Sequence, residues 1–167
     1  SFMIILGIDP GYAIVGWGVI EKDKRGKCTV IDYGAITTDK DMPFPQRLLV
    51  IKKGMDVLIS RFKPEVLAIE ELFFNTNTTT AIKVAQARGV VVCECEEKGV
   101  KIFEYTPLQI KQGLTGFGRA EKAQIQYMTK IMLNLKSVPK PDDTADALAV
   151  ALTHAQTNND LNSNQMR

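Results

Sequence analysis

The order of strand-like and helix-like segments is the feature that most constrains the fold of this chain. Three strand-like runs come first, at Met3 to Asp9, Val15 to Glu21 and Thr29 to Thr38, and short turn segments join them. From Pro45 onward, helix-like and strand-like segments alternate. Consecutive strands joined by short turns predict an antiparallel meander, whereas strands reached through helices predict parallel neighbours. We therefore expect an α/β fold with a mixed five-stranded sheet and helices on both faces.

The alternating part of the chain divides into individual elements. Apolar residues recur at helical spacing between Pro45 and Phe62 and again from Thr78 to Lys98, where Gly99 marks a stop. Two further strands are expected to end at Glu70 and Tyr105. Additional helices are expected from Pro107, Arg119 and Asp142. This order of elements matches the ribonuclease H-like topology.

Length and composition favour one globular domain. The chain has 167 residues, of which 45% are hydrophobic, and no long polar linker divides it. We expect the domain to cover residues 1–157 and the polar segment 158–167 to form a disordered tail. Ser1-Phe2 precede Met3, the natural start of the first strand, and are expected to be a cloning remnant.

Membrane and secretory signals are the next features to consider. No apolar run approaches the roughly 18 residues of a membrane span, and the N-terminal residues lack the pattern of a signal peptide. The three cysteines show no framework spacing, as a reducing compartment allows. We expect a cytoplasmic protein that does not enter a membrane.

Four carboxylates occupy positions from which they can converge. Asp9 and Glu70 each end an apolar strand-like run, so both are expected at the same edge of the sheet. Asp143 and Asp146 open a helix-like run, and their i, i+3 spacing puts both on one helix face. Glu71 follows Glu70, but successive strand residues point to opposite faces, so we expect only Glu70 to face the other acids.

Each acid also has a structural interpretation when it is taken alone. Asp9-Pro10-Gly11 is a common turn sequence, and Asp142 and Asp143 would ordinarily cap a helix. The convergence of all four acids favours the functional interpretation.

Five blocks of sequence, taken in order, carry a family resemblance. They are Gly7-Ile8-Asp9-Pro10-Gly11, Ala68-Ile69-Glu70, Gln86-Ala87-Arg88-Gly89-Val90, Ala120-Glu121-Lys122 and Asp143-Thr144-Ala145-Asp146-Ala147-Leu148-Ala149. Together they resemble the signature blocks of the RuvC family of bacterial Holliday junction resolvases. The resemblance implies a homodimeric, magnesium-dependent endodeoxyribonuclease that cuts four-way DNA junctions symmetrically in the bacterial cytoplasm. It also suggests the branch-migration proteins RuvA and RuvB as partners.

The resemblance implies a role for individual residues as well. The four acids would be catalytic, with Lys111 and Lys122 as basic residues near them and Lys122 in contact with the scissile phosphate. Phe73, in the polar loop after Glu70, would stack on an unpaired base at the crossover. Arg88, within the third block, and Arg119 are further expected DNA contacts.

Phosphodiester hydrolysis gives an independent reason for this set of acids. Two divalent ions about 3.5 to 4 Å apart can activate a water, neutralise the phosphate and stabilise the leaving alkoxide. Magnesium prefers oxygen ligands, which carboxylates supply, and Mn²⁺ can substitute for it. We expect two Mg²⁺ ions with Asp9 as the shared ligand, Glu70 on one side, and Asp143 and Asp146 on the other.

The charge distribution is consistent with DNA binding only locally. The whole chain has a net charge of +2. Between residues 101 and 140, however, seven Lys and Arg accompany only two Glu. The basic residues are Lys101, Lys111, Arg119, Lys122, Lys130, Lys136 and Lys140. This segment can hold backbone phosphates if it lies beside the acids, and otherwise it is a solvated surface.

The helix from Thr79 to Glu97 offers a surface for dimerisation. It carries a stripe of small and β-branched residues, together with one arginine, that suits close helix contact. The stripe consists of Ala81, Val84, Ala85, Arg88, Val91 and Val92. A symmetric dimer would supply two active sites related by a two-fold axis, as paired cuts require. The alternative is that the stripe packs on the chain's own sheet.

Two other functions fit parts of the sequence. One is a non-catalytic DNA-binding or scaffold module of the same fold, against which four intact acids argue. The other is an actin-like nucleotide-binding domain, suggested by the turn at Asp9-Pro10-Gly11 with Gly16 and Gly18. Such proteins need two domains around the nucleotide, and this chain is too short for that.

Overall fold

A five-stranded mixed sheet forms the centre of the protein, seen in a computed structural model that describes residues 2–72, 78–157 and 163–167. The strands are β1 Met3–Asp9, β2 Ile14–Lys22, β3 Cys28–Thr37, β4 Val66–Glu70 and β5 Lys101–Tyr105. The helices are α1 Phe44–Phe62, α2 Thr78–Glu97, α3 Pro107–Thr115, α4 Lys122–Met132 and α5 Asp142–Gln156. The strand order is β3-β2-β1-β4-β5. Neighbours among β1, β2 and β3 pair antiparallel, and β4 pairs parallel with β1 and β5. The predicted fold class is confirmed.

Each face of the sheet has its own hydrophobic core. On one face, Ile5 of β1 packs in a cluster with residues of α3 and α5, and the helix α4 lies over the same cluster. On the other face, Leu6 and Ile8 pack with residues of α1 and α2. Alternate residues of β1 therefore face opposite cores, as the two-residue period of a strand requires. By this alternation, Asp9 lies on the α5 face.

The helix α5 lies unusually close to the sheet because two strand residues are glycines. A Cβ atom on Gly7 would fall 2.0 Å from the carbonyl oxygen of Ala147, and one on Gly16 would fall 2.2 Å from that of Asp143. Any larger residue would push the helix outward. The glycines therefore bring the first turns of α5 down onto the ends of β1 and β2.

The C-terminal residues differ from their prediction. Residues 163–167 lie along the outer edge of β5 instead of forming a disordered tail. The backbone N–H of Glu104 donates to the carbonyl of Asn164 at 2.8 Å, and that of Met166 donates to Ile102 at 2.8 Å. The edge of β5 offers unpaired backbone groups, and Met166 also packs against the α1/α2 core. These interactions stabilise a segment whose polar composition suggests disorder.

The start of α4 also differs from its prediction. The helix begins at Lys122, three residues after Arg119. Glu121 is the N-cap and forms a reciprocal capping box with Gln124, whose side chain accepts from the Glu121 N–H at 2.7 Å. Within the described ranges, no helix is long and apolar enough to cross a membrane.

Candidate active site

Asp9 and Glu70 end adjacent parallel strands and lie on the same face of the sheet. Ile8 of β1 pairs with Ile69 of β4, so the two strands end side by side. On β4, Val66 and Ala68 pack in the α5 core while Leu67 and Ile69 pack in the opposite core. Glu70 therefore falls on the α5 face together with Asp9, and it is partly buried whereas Glu71 is exposed. Strand alternation thus places Glu70 on the face of the other acids, as expected from the sequence, and its role there stays a prediction.

The first two turns of α5 bring Asp143 and Asp146 to the same place. The carboxyl groups of Asp146, Asp143 and Glu70 are all near enough to Asp9 for their charges to act on it. Burial, followed by the charges of Asp146, Asp143 and Glu70, raises the pKa of Asp9 to about 8. The four acids predicted from the sequence are therefore together at one edge of the sheet.

Burial and neighbouring charges also raise the pKa values of two other acids of the site, Glu70 and Asp146. Burial, and then the charge of Asp146, raises the pKa of Glu70, and Lys111 offsets part of this effect. Burial also raises the pKa of Asp146, partly offset by Lys122. Like charges held in a partly buried site favour protonation or the binding of a cation.

The donor set fits a divalent metal ion. All four groups are carboxylates, which are the oxygen ligands that Mg²⁺ and Mn²⁺ bind, and an ion would relieve the repulsion that raises the pKa of Asp9. Among the described residues, no three acidic, histidine or cysteine side chains are arranged closely enough to hold an ion by themselves. An ion bound here would need additional ligands, and Mg²⁺ commonly keeps several waters.

Lys122 enters this site from the start of α4. Its Nζ lies 3.5 Å from Asp146 and 3.6 Å from Asp142. Burial lowers the pKa of Lys122, but the charges of Asp146 and Asp142 outweigh that effect and leave the pKa above its ordinary value. The side chain is therefore a cation at neutral pH.

Lys111 approaches the site from α3. It lines a cavity of about 150 Å³ together with Glu70, Asp146 and Pro107. Lys111 and Lys122 thus flank the acids, with one contributed by α3 and the other by α4. Arg119 is exposed in the turn before α4. Phe73 lies outside the described residues.

Arg88 is placed differently from its sequence-based assignment as a DNA contact. Its Nη2 donates to Glu104 at 2.5 Å and to the main-chain carbonyl of Glu70 at 3.3 Å. The side chain is only 12% exposed and lies among residues of β4, β5 and α2. The geometry therefore favours a structural role, in which Arg88 holds the end of β4.

Glu104 was not anticipated as part of this arrangement. It lies on β5 between Phe103 and Tyr105, which pack in the α5 core, so its side chain points to the α2 face where Arg88 lies. Strand alternation on β5 could have identified the face to which Glu104 points, but not its contact with Arg88.

His154 is a structural residue. Its Nδ1 and the hydroxyl of Tyr105 are hydrogen-bonded at 2.6 Å inside the α5 core. Burial, together with the nearby charge of Lys22, lowers the pKa of His154 to about 4. The imidazole is therefore neutral at physiological pH and lies away from the acids, two turns of α5 beyond Asp146.

Comparison with known proteins gives a consistent result. Residues 5–154 match the family model described as crossover junction endodeoxyribonuclease RuvC. The chain is 57% identical over 157 residues to the protein of that name from Alkaliphilus oremlandii, covering 94% of this chain and 95% of the relative. It is 56% identical over 156 residues to the one from Clostridioides difficile, covering 93% and 92%.

Solved structures show the same similarity. Thermus thermophilus RuvC in complex with a Holliday junction substrate superposes with a TM-score of 0.87 at 38% identity, covering 92% of this chain and 93% of that one. The yeast mitochondrial Holliday junction resolvase Ydc2 superposes with a TM-score of 0.66 at 13% identity, covering 91% and 77%, which shows a shared fold. The fold is ribonuclease H-like.

Proposed function

This chain belongs to the RuvC family of crossover junction endodeoxyribonucleases, and on that premise we propose how its own residues resolve four-way DNA junctions. The enzyme makes paired, symmetrical nicks by metal-dependent hydrolysis of phosphodiester bonds. The observation that carries this proposal is the convergence of three carboxyl groups on Asp9, with Lys111 and Lys122 beside them.

Each acid has a separate role toward the metal ions. Asp9 is central, because the other three acids all act on it, and it is the natural ligand to share between two ions. Glu70, at the end of β4, would be a further ligand of one ion. Asp143 and Asp146, in the first turns of α5, would be further ligands of the other ion. Two Mg²⁺ ions, or Mn²⁺ in their place, would supply an activated water and stabilise the leaving oxygen.

The lysines act on the DNA. The ammonium group of Lys122 is paired with Asp146. With the charge of Asp146 neutralised by a bound cation, the ammonium group would be free to contact a phosphate oxygen. At the scissile phosphate it would offset the negative charge that develops in the transition state. Lys111, which lines the cavity beside Glu70 and Asp146, would hold a phosphate of the same strand. Arg119 would add a contact outside the site.

Junction DNA is the proposed substrate because the T. thermophilus relative has been solved with a Holliday junction. Junction resolution requires two symmetrical cuts, so we propose a homodimer with two active sites. Within the bacterial cytoplasm, where the chromosome lies, RuvA and RuvB are the proposed partners. Phe73 is still the proposed stacking residue at the crossover.

The dimer surface requires a correction to the predicted stripe on α2. Val91 is buried in the core between α2 and the sheet, and Arg88 is engaged with Glu104. A different face of α2 is exposed, at spacings of three and four residues. It contains Ile82, Gln86, Gly89 and Cys93. We propose that this face makes the contact between subunits.

Gly89 allows a direct test of that surface. A side chain added there would meet nothing within 4 Å, so the monomer would tolerate Gly89→Glu. Opposite a second copy of α2, however, the new charge would be buried and would separate the subunits. Sedimentation should show a dimer for the wild type and a folded monomer for the variant. A dimeric variant would exclude this face.

The function is tested with a synthetic four-way junction and a linear duplex of the same sequence, with and without Mg²⁺. We expect symmetrical nicks in two opposite strands of the junction, in the presence of Mg²⁺ only, and an intact duplex. Tight binding to the junction without cutting would instead favour a scaffold module. ATP binding without junction binding would favour the actin-like alternative.

A further inference from the structure

Two large apolar side chains lie exposed at the rim of the active site. Leu108 is 53% exposed and Phe117 is 54% exposed. Leu108 is the second residue of α3 and directly follows Pro107, which lines the same cavity as Glu70, Lys111 and Asp146. Leu108 therefore lies next to the edge of the cavity that Glu70, Lys111 and Asp146 line.

The turn after α3 folds back and brings Phe117 to Leu108. Gly116 has a left-handed conformation with φ of 73°, which reverses the chain at the end of α3. A Cβ atom on Gly118 would lie 2.8 Å from Cδ1 of Leu108, so the backbone next to Phe117 rests on the Leu108 side chain. We call Leu108 and Phe117 together the apolar rim.

The backbone of Phe117 is fixed although its ring is exposed. Its N–H donates to the hydroxyl of Thr115 at 3.0 Å, and its carbonyl accepts from the N–H of Ala120 at 3.1 Å. The Thr115 hydroxyl itself donates to the carbonyl of Lys111 at 2.6 Å. Holding an aromatic ring in a fixed position before binding lowers the entropy cost of a contact.

The charges around the apolar rim indicate its partner. Lys111 and Lys122 flank the acidic site, and Arg119 comes two residues after Phe117. Cations beside the active site, together with an exposed aromatic ring at its rim, suit a nucleic-acid strand, whose phosphates can meet the cations while its bases stack on the ring. An isolated exposed residue would need no explanation, but these two lie at the same turn, and Leu108 directly follows a residue that lines the cavity holding Glu70, Lys111 and Asp146.

We propose that the apolar rim binds the junction itself, with the ring of Phe117 stacking on a base exposed near the branch point and Leu108 supporting it. Continuous duplex keeps its bases stacked and offers no such face, so this contact contributes to selectivity for branched DNA. The inference rests on the proposed function, because it assigns a substrate contact beside the same active site.

The test measures binding to the junction and to linear duplex in EDTA, over a series of salt concentrations. The variants are Phe117→Ala, Phe117→Tyr and Leu108→Ala. Ile131→Ala is the matched control, because Ile131 is 52% exposed but lies in the last turn of α4. Stacking on a base contributes enough that Phe117→Ala should weaken junction binding by about 10-fold. Phe117→Tyr should bind like the wild type, and Leu108→Ala should fall between them.

Four accompanying results are expected for Phe117→Ala. Its affinity for duplex should change less than about 2-fold, and the slope of affinity against salt should not change because no charge is lost. Its melting temperature and oligomeric state should equal those of the wild type, since the ring is exposed.

The proposal is overturned if Phe117→Ala binds the junction as tightly as Ile131→Ala, or if it loses equal affinity for duplex. A lower melting temperature or a changed oligomeric state would also overturn it, by assigning the ring to packing or to a second subunit.

The wild-type measurement separates the two proposals. A wild type that does not prefer the junction refutes the proposed function, whereas a preference unchanged in Phe117→Ala refutes only the apolar rim.

Discussion

The ammonium group of Lys122 lies 3.5 Å from the carboxylate of Asp146, so the first residue of α4 is bound directly to an acid of the active site. A cation that already lies among the acids is positioned to meet the phosphate that is cut. We therefore propose that Lys122 acts on the phosphate that is cut, although its side chain is 55% exposed.

Lys122→Ala should therefore slow junction cleavage by about 100-fold, because one stabilising group of the transition state is lost. It should also reduce the slope of log affinity against log salt concentration by the amount expected for about one phosphate contact. Single-turnover cleavage and binding titrations at several salt concentrations measure the two effects. Lys136→Ala removes an exposed lysine of the same segment and is the matched control. Equal rates for both variants would assign Lys122 to the solvated surface.

Asp9→Asn should stabilise the protein at alkaline pH when divalent ions are absent. The pKa of Asp9 is raised to about 8 from 3.8, so its contribution to stability is complete below 3.8 and is lost as the pH rises through 8. Asp9→Asn removes this ionisable group, so the variant does not lose that stability as the pH rises. Thermal melts in EDTA at pH 5 and pH 8 should show a gain that is much larger at pH 8 than at pH 5, of about 2 to 4 °C for each kcal/mol regained.

The same melts repeated with Mg²⁺ provide the control. Mg²⁺ should raise the melting temperature of the wild type, because an ion that binds the folded state stabilises it, and should have little effect on Asp9→Asn. A variant that is less stable than the wild type at pH 8 in EDTA would contradict the crowding of charges around Asp9.

Glu70→Gln should abolish Mg²⁺-dependent cleavage, while Glu71→Gln should keep most of it. Glu70 faces α5 with the other acids, whereas Glu71 is exposed and follows the end of the strand. The two adjacent substitutions remove the same charge and form a matched pair. Cleavage rates over a range of Mg²⁺ concentrations distinguish them, and an inactive Glu71→Gln would mean that the register of β4 is wrong.

Arg88→Gln should weaken the response to Mg²⁺ without removing any metal ligand. Arg88 holds the carbonyl of Glu70 and pairs with Glu104, so its loss frees the end of β4. We expect a higher Mg²⁺ concentration for half-maximal cleavage and a loss of about 1 to 3 kcal/mol in unfolding free energy. Arg88→Lys should recover part of the Mg²⁺ response. If the variant is less stable but its Mg²⁺ response is unchanged, the Arg88–Glu104 pair has only a packing role.

Much of this site could be predicted because it follows from local patterns. Asp9 and Glu70 end strands whose apolar residues alternate between two cores, and Asp143 and Asp146 share one helix face. Strand alternation and helical spacing depend only on nearby residues, so the sequence alone indicates which way these side chains point.

Features that depend on contacts between distant segments were not predictable in this way. The pairing of residues 163–167 with β5 depends on a free strand edge, and the role of Arg88 depends on where α2 crosses β5. The exposed face of α2 depends on which of its residues the sheet covers. Such arrangements are set by tertiary packing, to which composition and periodicity give no direct access.

The most direct test separates binding from cutting in single-acid variants. Wild type, Asp9→Asn, Asp143→Asn and Asp146→Asn are bound to a four-way junction in EDTA, and cleavage is then started by adding Mg²⁺. We predict junction affinities within about 3-fold of the wild type, because each change removes a metal ligand and no phosphate contact, and cleavage reduced by more than about 100-fold. Near-normal cutting by any one of these variants would contradict the assignment of that acid to the metal site, and near-normal cutting by all three would contradict the account as a whole.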